Sequence, residues 1–226
     1  MLAQQTESPN SPESEVLALL TGQAKVFRGP YEWSAIAKSP VSGAVAITPL
    51  GLSGDDQANR VFHGGPDKAL HHYPFDHYSF WRHELGDHPL LAQPGGFGEN
   101  VSTLGFTEET VWLGDRFRLG TALIEVSHGR QPCWKLAHRF GVAKLTAQVV
   151  QTGRAGWYYR VLEPGHAAAG DRLTLVERGL AEWPLAQLFA VLIGDKSRRE
   201  PATLRDLAAL PVLAEAWRLR ARELLG

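Results

Sequence analysis

The sequence is nearly without cysteine: Cys133 is the only thiol in 226 residues. One cysteine excludes an intramolecular disulfide framework and fits a reducing compartment. An excess of charge of either sign is also missing. Lysine and arginine number 23 against 24 aspartates and glutamates, a net charge of -1, so nothing global suggests wrapping nucleic acid or lying on an anionic membrane. No stretch approaches the roughly 18 consecutive apolar residues that a membrane span needs. The segment Met1 to Glu15 is polar, with Ser, Pro and Gln, and lacks the basic start and apolar centre of a secretory signal. The expectation is a cytoplasmic protein with no membrane and no nucleic-acid partner.

What is present is ordinary for a globular chain, 44% hydrophobic and 21% charged. The length has room for one good-sized domain plus a small one. Residues 1–15 read as a flexible tail, with too little apolar surface to offset the entropy of ordering. From 16 to 176 the pattern is mainly β. Val16 to Leu20 and Gly43 to Ile47 are short apolar runs followed by turn residues, and Thr110 to Ser127 alternates apolar with polar around Gly-Asp and Gly-Thr turns. Helices interrupt the strands. Phe75, Tyr78, Trp81 and Leu85 recur at helical spacing behind Pro74, which predicts a helix with His77 and His83 on its exposed side. Two shorter helices, divided by Gly141, are expected between Cys133 and Gln151. After Glu177 three amphipathic patterns follow, around Leu185–Ile193, Leu204–Leu210 and Leu213–Leu224. Such short helices need partners, so they should pack on each other and on the β part. The fold class is therefore α+β, mainly β with helices: a sandwich or closed barrel over 16–176, then a small three-helix domain over 177–226.

Several glycine-punctuated stretches could carry chemistry. His63-Gly64-Gly65 with Lys68 offers backbone N–H groups and charge to an anion, or is an ordinary turn. Gly95-Gly96-Phe97-Gly98-Glu99-Asn100 demands positive φ angles or close backbone approach; Asn100 could bond a heterocycle or cap the turn. Ser127-His128-Gly129-Arg130-Gln131-Pro132-Cys133-Trp134-Lys135 runs from a strand into a helix. A cysteine there, flanked by Arg130, Lys135 and His128, should hold a stabilised thiolate, the form that ligates metals or attacks electrophiles. A buried cysteine acting as a small hydrophobe is the competing reading, and the residues leave both open. Lys38 is a further cation for a phosphate, or a solvated lysine. Six of the nine histidines lie between His63 and His88, yet no pair has HExxH spacing and one cysteine cannot build a Cys-rich zinc site.

Taken in order, SAIAK at Ser34, GDDQ at Gly54, HGGPDKAL at His63, HYP at His72, FGEN at Phe97, LGDRF at Leu113 and RQPCWKL at Arg130 resemble the MOSC family, the domain found at the C-terminus of molybdenum cofactor sulfurases. The match is closest to its bacterial YiiM-like branch and runs from about Val16 to Val176; the tail helices look like the three-helix domain of that branch. The resemblance implies a β-barrel that binds a molybdenum–molybdopterin cofactor, with Cys133 as the metal's thiolate ligand. It implies cofactor contacts from Lys38, His63, Gly64, Gly65, Lys68, Asn100, Ser127, Arg130, Gln131 and Lys135. The implied reaction is reduction of N-hydroxylated bases such as hydroxylaminopurine to the amine, with Cys133 and His63 as catalytic residues and Glu99 a second candidate proton donor. Family members with their own electron-transfer domains carry extra cysteines for an iron–sulfur cluster. This chain has none to spare, so electrons are expected from a separate reductase.

Two other readings compete with the reductase. The first is a carrier that holds the cofactor or a sulfur atom on Cys133 without turnover. The second is a non-catalytic barrel binding an anionic partner through its Arg- and Lys-bearing loops. A homodimer through the apolar tail helices is also expected.

Overall fold

A computed structural model describes residues 11–58 and 64–226. These residues form thirteen strands: β1 (Glu13–Thr21), β2 (Lys25–Arg28), β3 (Glu32–Ser34), β4 (Ser39–Pro40), β5 (Val45–Thr48), β6 (Gly51–Leu52), β7 (Leu70–His72), β8 (Val101–Thr103), β9 (Arg116–Leu119), β10 (Ala122–Gly129), β11 (Trp157–Glu163), β12 (Gly165–Ala167) and β13 (Arg172–Glu177). Seven of them close a barrel in the order β13-β9-β10-β11-β7-β8-β1, with β1 returning to β13. All neighbours are antiparallel except β7 and β8, which meet in parallel at His72 and Val101. Closure leaves no open edge in the seven-stranded ring. β4 extends β1, while β5, β6 and β12 form a small separate sheet and β2 pairs β3 in a hairpin.

β1 begins at Glu13, earlier than the apolar pattern suggested. Glu13, Ser14 and Glu15 pair with Thr174, Leu173 and Arg172. These residues carry no apolar signal because backbone hydrogen bonds to β13, not side-chain burial, extend the strand there. Residues 1–10 lie outside the described part.

Among the described residues the α-helices are α1 (Asp76–Leu85), α2 (Trp134–Phe140), α3 (Leu145–Thr152), α4 (Leu185–Phe189, continued by a π turn over Ala190–Gly194), α5 (Pro201–Ala209) and α6 (Glu215–Leu225). α1 buries Tyr78 and Trp81 as its spacing predicts, but it also buries His77. His77 Nε2 lies 2.6 Å from Glu108 Oε2, a partner 31 residues away that no local pattern could reveal. The expectation that His77 faces solvent is corrected by this pair; a buried imidazole held by a carboxylate no longer costs the unpaired desolvation.

One hydrophobic core runs from the barrel interior (Phe117, Leu119, Ile124, Val126) into the last helices (Leu185, Leu188, Leu204, Trp217). α6 meets the barrel at Trp217, whose ring packs tilted against His128 at a centroid distance of 5.3 Å. Gly129 has no side chain there because a Cβ would lie 2.9 Å from the same indole. Among the described residues no helix is long and apolar enough to cross a membrane.

Candidate active site

At the barrel end where β10 stops and β8 and β11 begin, the loops enclose a cleft of about 720 Å³ including its open mouth. Six of the residues singled out in the sequence line it together with Cys133: Lys38, Lys68, Asn100, Arg130, Gln131 and Lys135. Cys133 is partly exposed and its thiol is free. The turn Gln131–Pro132 carries the chain from the end of β10 to Cys133, which caps the N-terminus of α2 with extended backbone at φ −116°. Its carbonyl is tied down by Leu136 N at 3.1 Å and by Thr146 Oγ1 at 3.2 Å. The thiol is thus placed on a fixed backbone.

The opposite wall is the FGEN loop. Glu99 is fully buried and takes hydrogen bonds from Gly95 N at 2.6 Å, from Phe97 N at 3.1 Å and from the Tyr78 hydroxyl. The loop's carbonyls are used as completely. Arg139 donates to Gly95 and Gly96, Arg130 Nη2 to Phe97 at 3.1 Å, and His71 Nδ1 lies 3.2 Å from the Gly98 oxygen. The glycines are required by space as well: a Cβ on Gly96 would stand 2.4 Å from the Leu90 carbonyl, and one on Gly98 (φ +79°) 2.7 Å from Ile36. Glu99 does not line the cleft. It is the anion around which this wall is built, which removes it as a candidate proton donor.

Asp55, part of the GDDQ motif but given no role of its own in the sequence, organises the floor. Its carboxylate pairs with Lys38 Nζ, accepts from Gly22 N at 2.7 Å and accepts from Asn100 Nδ2 at 2.8 Å. Burial lowers the Lys38 pKa, and the Asp55 charge opposes that shift. Asn100 spends the rest of its amide on His71 N and the Leu20 carbonyl, so its first role is to hold β1, β7 and the loop together. Lys135 Nζ donates to the Trp33 carbonyl at 2.6 Å, joining α2 to β3.

Two buried polar atoms at this cleft have no hydrogen-bond partner among the described residues: Arg130 Nη1 and His71 Nε2. Burial holds the His71 pKa well below its ordinary value, and the Arg130 charge adds to this. The imidazole is neutral at neutral pH, and with Nδ1 facing the Gly98 carbonyl its Nε2 is the acceptor. Tyr158 completes the lining; burial raises its pKa, and Arg130 pulls it the other way.

Other expectations fall elsewhere. Ser127 is buried away from the cleft, its hydroxyl donating to the Asp67 carbonyl at 2.6 Å and the Tyr158 carbonyl at 3.1 Å. Gly64 and Gly65 do not line the cleft, although Gly65 (φ +97°) turns the chain so that Lys68 does. His63 lies outside the described residues. His128 is not a cation beside Cys133: it is buried between Tyr158 and Trp217, and burial pushes its pKa down to about 3. Strand alternation turned it into the core, where desolvation disfavours the charged ring.

Among the described residues the cleft therefore brings together one thiol and four cations (Lys38, Lys68, Arg130, Lys135) against two carboxylates (Asp55, Asp56), a surplus of two positive charges. A family model of the MOSC domain matches residues 59–174, from the HGG stretch through RQPCWKL and into β13. The chain belongs to the MOSC family. The YiiM protein of Escherichia coli (strain K12) is 48% identical over 145 residues, which cover 64% of this chain and 65% of that protein. The crystal structure of YiiM from Geobacillus stearothermophilus superposes with a TM-score of 0.79 at 33% identity, covering 95% of this chain and all of that one. This MOSC chain is thus of the YiiM-like branch, with the fold of those structures. A protein of Gibberella moniliformis (strain M3125 / FGSC 7600) named "Reductase" is 39% identical over 160 residues, 70% of this chain but 28% of that longer protein.

Proposed function

We propose that the cleft binds a molybdenum–molybdopterin cofactor and that the protein is a reductase of N-hydroxylated bases, such as hydroxylaminopurine. The observation that carries this reading is Cys133 facing a cleft with surplus positive charge and an orphaned buried guanidinium nitrogen on Arg130. The residues present fit the group. A soft metal suits a thiolate. Among the described residues no three His, Cys, Asp or Glu side chains cluster to hold a metal, so Cys133 is the side chain of this cleft that would hold the cofactor's metal. An anionic phosphate suits Lys38, Lys68, Arg130 and Lys135, whose charges outnumber the lining carboxylates. Support also comes from MOSC membership and from a relative named as a reductase.

When bound, the cofactor supplies the two-electron redox chemistry. The chain's own residues do the rest. Arg130 Nη1 donates to an anionic or carbonyl oxygen, and His71 Nε2 accepts from an N–H donor of the cofactor or base. The buried Lys38–Asp55 pair fixes the floor, and the walls at Phe97 and Tyr158 exclude water from one side. His63 remains the proposed proton donor. The overall change is R–NHOH + 2 e⁻ + 2 H⁺ → R–NH₂ + H₂O, with electrons from a separate donor.

The test is reduction of hydroxylaminopurine by the protein purified from cells that make the cofactor, driven by reduced methyl viologen. Conversion to adenine, lost in Cys133→Ser, is the expected result. Metal-loaded protein that fails to convert it would refute the reductase reading and favour the carrier.

A further inference from the structure

The surface next to Cys133 gathers exposed aromatic side chains. The β2–β3 hairpin presents Val26 (56% exposed) opposite Trp33 (49%), with Tyr31 (91%) at its tip and Trp134 (38%) alongside. Phe27 on the hairpin's other side packs against His138 at 4.9 Å, fastening the hairpin to α2. The patch is continuous with the cleft, because Ser34 follows Trp33, Trp134 follows Cys133, and both Ser34 and Cys133 line it.

Its charges differ from those of the barrel strands. Arg116, Arg118, Arg160 and Arg172 on the barrel strands each meet a carboxylate. Lys25, Arg28 and Lys135 meet none within ion-pair distance among the described residues; Arg28 instead lies 4.1 Å over the Trp134 ring. Aromatics exposed beside Lys25, Arg28 and Lys135, against the single hairpin carboxylate Glu32 in register opposite Arg28, form a net positive surface for a partner of opposite charge, in the manner of small, electrostatically steered interfaces.

We propose that this hairpin face is the docking surface for an acidic, one-electron carrier protein that supplies the cleft. The proposal rests on the reductase reading. Each turnover takes two electrons and two protons, so two reduced carriers dock in succession, each is oxidised by one electron, and the protons come from solvent. The site of entry follows from position: the patch borders Cys133, and a carrier seated on Trp33 and Trp134 sits against the wall of the cleft. A partner covering Tyr31 and Trp33 also removes exposed apolar surface from water.

The experiment uses a flavodoxin, an acidic flavin carrier, with the full-length cofactor-loaded protein. Binding is measured calorimetrically at low and high salt, and hydroxylaminopurine reduction is driven in parallel by flavodoxin with its reductase and by reduced methyl viologen. Expected are binding that weakens with salt, at least about tenfold weaker binding and flavodoxin-driven turnover for Lys25→Glu/Arg28→Glu, and unchanged viologen-driven turnover. Tyr31→Ala, at a position almost wholly exposed, is the second variant if the charge reversal fails to fold. Wild-type protein that does not bind flavodoxin overturns the proposal, as does binding indifferent to both variants. Binding of a single-stranded oligonucleotide in place of flavodoxin would assign the face to nucleic acid and overturn it too. If viologen drives no reduction in the wild type, the reductase reading fails while the binding arm still judges the docking surface.

Discussion

Glu99 is a carboxylate used as scaffold. Its two buried oxygens gather Gly95 N, Phe97 N and the Tyr78 hydroxyl. Glu99→Gln brings an NH₂ group against donors that expect an acceptor, so it should destabilise the protein by about 2–3 kcal/mol, read as a lower midpoint in urea with unchanged slope. A buried histidine makes the opposite contribution. His128 and His72 are held neutral, each with its pKa lowered by burial to about 3. Between the ordinary histidine value near 6.5 and pH 3 the unfolded chain binds protons that the folded chain refuses, so stability falls as pH falls through that window and is complete above it. Each histidine contributes a slope of up to about 1.4 kcal/mol per pH unit. His128→Asn should flatten the dependence of the unfolding midpoint between pH 6 and 4; an unchanged slope would remove this account of His128.

At the scale of elements, the Gly95–Gly98 loop and the turn before α2 face each other across the cleft, and each is fixed by contacts distant in sequence. Gly98→Ala puts a methyl where Ile36 already stands, at a backbone angle alanine resists. It should lower the melting temperature and, by moving the Phe97 and Gly98 carbonyls, disturb Arg130 and His71. Its effect should appear in cofactor retention beyond what lost stability explains, measured on folded protein at low temperature. Much of this was legible from residue types alone: the glycines, the lone thiol and the cations of Arg130, Lys68 and Lys135 were visible in the chain. The partners were not. Asp55 reads as a solvated turn residue until the fold brings Lys38 and Asn100 to it, and His77 reads as exposed until Glu108 arrives from another loop. Ser127 and His128 show the limit of adjacency, because strand alternation and a β10 irregularity near them turn both away from a cysteine only a few positions on. The strands were readable where apolar and polar residues alternate, as in β10. They were hidden in β1 at Glu13–Glu15, where pairing with β13 does what burial does elsewhere.

For the whole molecule, barrel and tail helices share one core. Trp217 of α6 covers His128 and Gly129 on β10, and Arg178 pairs with the buried Asp115 at 2.7 Å. Trp217→Ala should cost about 3–5 kcal/mol and lower a single unfolding transition, seen by both tryptophan fluorescence and circular dichroism. Two separated transitions would mean that the tail folds apart from the barrel. The closed barrel supplies a rigid rim, and the loops on that rim hold Cys133, Arg130 and the Lys38–Asp55 pair around one cleft. The account stands on what that thiol holds. The most direct measurement is the molybdenum content of protein purified from cells with cofactor synthesis intact, wild type beside Cys133→Ser at matched folding. Stoichiometric molybdenum in the wild type and its loss in the serine variant is the predicted result. Wild-type protein without molybdenum, or a serine variant that keeps it fully, would contradict the assignment of Cys133 as the metal's ligand.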